Sequence, residues 1–123
     1  MTEITIQAGS VTVRAELFDN PTGTAIQEAL PIEGSANTWG DEIYFSIPVE
    51  LEQAAEAKAD VELGQLGYWP VGKAFCIFFG PTPASHADEP RAASPVNIFG
   101  QIHGDLEPLK SVKSGQPVLV KAL

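Results

Sequence analysis

Hydrophobic and polar positions alternate with a period of two along much of this chain, and the places where the alternation fails are as informative as the rule. Glu3 to Ala8 reads E-I-T-I-Q-A, Gly9-Ser10 supplies a turn, and Val11 to Leu17 resumes with Val11, Val13, Ala15 and Leu17 on one face. Two such runs around a short glycine turn predict a β-hairpin with one buried face. Asp41 to Val49 alternates again, with Ile43, Phe45 and Ile47 inward and Glu42, Tyr44 and Ser46 outward. Val96 to His103 and Val118 to Ala122 predict two further strands. Ala74 to Gly80 breaks the pattern with seven consecutive non-polar residues, AFCIFFG. A turn built on Gly67, Pro70 and Gly72 precedes it, and a second through Pro81 and Pro83 follows. A continuous run with such punctuation predicts a central strand buried on both faces.

Helical spacing occurs twice. Asp19-Asn20 precede Pro21, and Ala25, Ile26, Ala29 and Leu30 share a face, which predicts a short helix from Pro21 or Thr24 to Leu30 stopped by Pro31. Leu106, Leu109 and Val112 suit one or two helical turns ended by Ser114-Gly115. Glu33 to Gly40 reads as a polar loop apart from Trp39, and Glu50 to Leu63 as a short turn or helix followed by a short strand. Pro81 to Pro95, with four prolines, reads as a long surface loop. The sum is seven or eight short strands and two short helices in one domain spanning residues 1–123. A closed, mostly antiparallel β-barrel of eight strands with two short helices is the expected fold, because closure removes exposed sheet edges.

Composition narrows the functional classes. A chain of 123 residues can bury a core without staples. The single cysteine, Cys76, excludes an intramolecular disulfide and reads as a small buried hydrophobe suited to a reducing cytoplasm. The start of the chain lacks a basic-then-apolar leader, and no run approaches the ~18 apolar residues of a membrane span, so a cytoplasmic protein is expected. A formal net charge of −9 opposes binding to nucleic-acid phosphates or anionic lipid. No phosphate-cradling glycine loop or nucleophile elbow is present.

Two segments resemble the cyclophilins, peptidyl-prolyl isomerases built on an eight-stranded barrel with two helices. They are Val13 to Leu30, VRAELFDNPTGTAIQEAL, and Ile98 to Gly115, IFGQIHGDLEPLKSVKSG. ANTWGDEIYF, LGYWPVGKAFCIFFGPTPAS and ASPVNIFG together resemble a family of small bacterial and archaeal cyclophilin-like proteins defined largely by fold. The resemblance implies the barrel but not the isomerase. Cyclophilins carry an arginine in an FHR-like motif on the third strand, where it polarises the prolyl nitrogen; the corresponding strand here reads DEIYFSIP. Arg14 and Arg91 are the only arginines in the chain. Rotation about an amide faces a barrier of ~18–20 kcal/mol, so a barrel without the polarising group is expected to be a poor isomerase.

Trp39, Tyr44, Tyr68 and Trp69 are the candidate ligand-binding rings, since three of them sit in or beside turns and Tyr44 faces outward. Thr82, Arg91 and Asn97 add polar groups on or beside the proline loop, which on this reading acts as a lid; the same rings and loop also suit plain core and connection. His86, Asp88 and Glu89 match no firm metal spacing, no cofactor is expected, and Asp41-Glu42 point to opposite faces. Binding of a small molecule or short peptide in an aromatic groove is the first reading. A weak isomerase or a component of an amide-hydrolysing enzyme is the second, and a homo-oligomeric interaction protein the third.

Overall fold

The computed structural model describes residues 2–123. The predicted hairpin forms as β1 (Thr2–Ala8) and β2 (Val11–Leu17), with Ile4 opposite Ala15 and Ile6 opposite Val13. Helix α1 (Pro21–Ala29) follows, capped by Asn20, whose Oδ1 accepts the Gly23 N–H at 2.8 Å. Its Nδ2 donates to the Ile98 carbonyl at 3.1 Å, so one side chain both starts the helix and fastens it to the sheet. Ile26 carries the helix into the core.

The remaining strands are β3 (Ile32–Ser35), β4 (Asn37–Thr38), β5 (Glu42–Ser46), β6 (Lys58–Asp60), β7 (Gln65–Trp69), β8 (Ala74–Phe78), β9 (Arg91–His103) and β10 (Pro117–Ala122). They form one antiparallel ten-stranded sheet in the order β3-β10-β1-β2-β9-β7-β8-β5-β4, with β6 paired to β9. The expected closed barrel of eight strands is therefore corrected on two points: the described residues form ten strands, and the sheet does not close. Its two edges, β3 and β4, are successive in the chain across Ala36, so connectivity rather than a hydrogen-bonded ladder brings them together. Apart from Ile32 at the start of β3, both lie in the stretch Glu33 to Gly40 expected to be a polar loop. At four and two residues they are too short to show alternation, and each takes its structure from a single partner, β10 or β5.

The second expected helix is a 3-10 turn, Glu107–Ser111. With three residues per turn, Leu106, Leu109 and Val112 stay on one side and pack on the core, so the one or two helical turns expected from this spacing take the 3-10 form. The proline loop is shorter than expected, because Arg91 to Pro95 already belong to β9. That half of β9 pairs with β6, Asp60 opposite Arg91 and Lys58 opposite Val96.

Two apolar layers flank the centre of the sheet. Ile43, Phe45, Leu66, Tyr68, Phe75 and Ile77 point to the main core, where the Phe75 ring lies 4.9 Å from Phe45 in a stack and 4.9 Å from Phe99 edge-on. Ala74, Cys76 and Phe78 point the other way, into a second cluster with Val61, Ala92 and Val96. This second layer is laid down by β6 and the start of β9. It explains why all five residues of β8 are buried and why its sequence does not alternate. Gly67 permits the close approach: a Cβ there would stand 2.7 Å from Val96 Cγ2. Among the described residues no helix is long and apolar enough to cross a membrane.

Candidate functional site

The outer face of the sheet is not filled completely. Between β5, the end of β7, β8 and the start of β9 lies a half-open cavity of about 230 Å³, lined by Trp39, Glu42, Tyr44, Trp69, Cys76, Ala92, Ala93 and Val96. The chain builds it from three local features. The turn between β4 and β5 is closed by the Trp39 N–H donating to the Glu42 carbonyl at 2.9 Å, which presents Trp39 and Glu42 together. Gly40 sits in that turn at φ +62°, and a Cβ there would meet the Pro81 carbonyl and Thr82 Cα, each at 2.9 Å. Alternation along β5 then carries Glu42 and Tyr44 to the same face.

Trp69 ends β7, and its indole Nε1 donates to Ser94 Oγ at 2.6 Å, locking the ring to β9. The indole N–H of Trp39 and the hydroxyl of Tyr44 have no hydrogen-bond partner among the described residues. These two polar tips are thus free among the described residues, at a wall whose other polar group is Glu42.

Glu42 is the unusual member, an acidic residue only 6% exposed. Burial raises its pKa from 4.5 to about 7, opposed by a hydrogen bond from the Cys76 thiol. Burial, and then the neighbouring Glu42 charge, push the Cys76 thiol well above its ordinary value. No lysine or arginine lines the cavity. Both arginines are engaged elsewhere, Arg14 with Glu3 at 3.7 Å and Arg91 with Asp60 across β6 and β9.

Of the residues expected to bind a ligand, Trp39, Tyr44 and Trp69 come together here. Tyr68 does not; it is fully buried on the opposite face, its hydroxyl donating to the Val49 carbonyl at 2.7 Å and accepting from the Leu51 N–H at 3.2 Å. Thr82 donates to the Arg91 carbonyl and takes the Ala84 N–H at 3.2 Å, so it knits the loop to itself. Asn97 accepts from the Ala54 N–H at 2.7 Å and donates to the Glu52 carbonyl at 3.0 Å, pinning the segment before β6. Arg91 is absorbed by its ion pair. The proline loop holds its own shape: the Glu89 carboxylate accepts the His86 and Ala87 N–H groups at 2.7 and 2.8 Å, which keep it below the usual carboxylate range.

Glu42, Cys76, Ala92, Ala93 and Val96 were not expected in the site. A signal for Glu42 was present in the sequence. A strand apolar on both faces requires cover on its outer side, and that cover must extend over the outward residues of its neighbour.

No curated protein matches the chain. The solved structures include two clear likenesses. The hypothetical protein AF2241 from Archaeoglobus fulgidus, known from a solution structure, is 43% identical, with a TM-score of 0.84 over 99% of this chain and 95% of that one. McbB, solved in complex with tryptophan, is 19% identical, with a TM-score of 0.72 over 96% of this chain but 44% of its own, a likeness of fold alone. The cyclophilin-like family model matches residues 2–121, and the chain belongs to the cyclophilin-like family.

Proposed function

We propose that this chain binds a small organic molecule in the cavity between Trp39, Tyr44 and Trp69. The observation that carries the reading is a concave, mostly apolar site with a few convergent polar groups, the Trp39 N–H, the Tyr44 hydroxyl and the Glu42 carboxyl. A volume of about 230 Å³ suits a compact molecule or the end residue of a peptide rather than an extended chain. Aromatic walls favour a partly apolar ligand held by ring contact, with the polar tips setting its orientation. The isomerase reading lacks comparable support, since neither arginine reaches the cavity. McbB, a fold relative solved with tryptophan, recommends including aromatic amino acids among the compounds tested.

A thermal-shift screen of metabolites and short peptides tests the proposal, repeated on Ala93→Trp. Ala93 is an exposed lining residue, so the larger side chain blocks the cavity without entering the core. A compound at about 100 times its dissociation constant adds about 2.7 kcal/mol of stability. Hits whose stabilisation disappears in the blocked variant support the cavity as the site; hits that stabilise both proteins equally contradict it.

A further inference from the structure

We infer that the ligand of this cavity carries an organic ammonium group, held over the faces of Trp39, Tyr44 and Trp69 and neutralised by Glu42. The inference rests on the binding reading above and names its chemical class.

Three aromatic rings line one small cavity, and the electron-rich face of an aromatic ring attracts a cation, indole most strongly of the natural rings. Rings alone also suit a neutral ligand; Glu42 decides between the two. Glu42 is a buried residue, its carboxyl lines the cavity, and it has no lysine, arginine or histidine partner among the described residues. A buried acid facing lysine or arginine would serve an internal ion pair; this one faces an aromatic cavity lined by neither, so its carboxylate form is left for a cation that the ligand brings. The other titratable groups facing it are Tyr44 on its own strand and Cys76 on β8. From β9 come only Ala92, Ala93 and Val96, and the neighbouring Asp41 packs its carboxylate against Gly80. No competing cation lies in the site, and a chain of net charge −9 draws cations toward it.

Binding and ionisation are then linked. The cation favours the Glu42 carboxylate, so Glu42 releases its proton as the ligand enters near neutral pH, and affinity falls as the pH drops below about 7. At two pH units below that value the carboxylate is about 1% populated, and affinity is reduced by up to about 100-fold.

The probes are choline and its uncharged isostere, in which a quaternary carbon replaces the nitrogen, titrated calorimetrically into the full chain and Glu42→Gln. Choline is expected to bind the native protein at least about tenfold more tightly than the isostere above neutral pH, with the preference collapsing in acid and in Glu42→Gln. Equal or tighter binding of the isostere overturns the ammonium assignment while leaving a neutral-ligand cavity standing. Failure of choline to bind at millimolar concentration overturns it too, and library hits blocked by Ala93→Trp would then show that the cavity reading survives. Cavity binding itself fails if those hits are indifferent to the block.

Discussion

Replacing Glu42 with glutamine removes one proton site while keeping shape and polarity. In the native protein burial lifts this carboxyl from 4.5 to about 7, so across that interval the folded state holds a proton that the unfolded state has released. Stability therefore falls as pH rises through the interval; the contribution of the Glu42 proton is fully present below about 4.5 and lost above about 7. At about 1.36 kcal/mol per pH unit, the gap amounts to about 3 kcal/mol. Glutamine does not titrate, so the stability of the variant relative to the native chain rises by about 3 kcal/mol between roughly pH 4 and pH 8. Every other carboxylate titrates in both proteins and cancels in the difference. Urea unfolding at constant ionic strength, followed by tryptophan fluorescence, gives both curves. A difference that stays constant with pH to within about 0.5 kcal/mol would refute the claim that Glu42 is held in a desolvated site.

Other consequences follow from named contacts. Tyr68→Phe leaves the ring in the core but strips the Val49 carbonyl and Leu51 N–H of their partner, and is expected to cost about 1–3 kcal/mol in urea unfolding without altering ligand affinity. Gly40→Ala forces an L-residue to φ +62° against the Pro81 and Thr82 backbone; it should lower stability by at least about 1–2 kcal/mol and change the fluorescence of Trp39 in the same turn. Cys76, 1% exposed and with its thiol pKa driven up by burial, should react with a bulky thiol reagent at neutral pH far more slowly in the folded protein than in denaturing urea, which timed labelling in rising urea will reveal.

Local patterning made much of the fold legible. The alternation of β1, β2 and β5, the Asn20-Pro21 helix start and the continuous apolar run of β8 each have one dominant physical reading, and each appears where that reading puts it. What escaped was set by partners distant in sequence. β3 and β4 are polar and short, and exist as strands because β10 and β5 lie beside them. Arg91 to Pro95 look like loop, yet they pair with β6 and roof the outer face of the sheet. That roof turns the outward face of β5 from a solvent surface into a cavity wall. Aromatic residues near turns were therefore recognisable as candidates, while Glu42 passed as an ordinary exposed acid. The polar residues Thr82 and Asn97 stood out for their chemistry, but their hydrogen bonds are spent on the fold.

The central claim is that ligand meets the chain at the cavity walled by Trp39 and Trp69, which are its only two tryptophans. Nitrogen-15 correlation spectra consequently contain two indole N–H signals, both reporting from the site. Titration with a compound that raises the unfolding midpoint should move both signals in proportion to saturation, the Trp39 N–H most because it has no hydrogen-bond partner among the described residues, with the backbone amides of Ala92 and Ala93 following. A stabilising compound that saturates the protein while both indole signals stay in place would contradict the account.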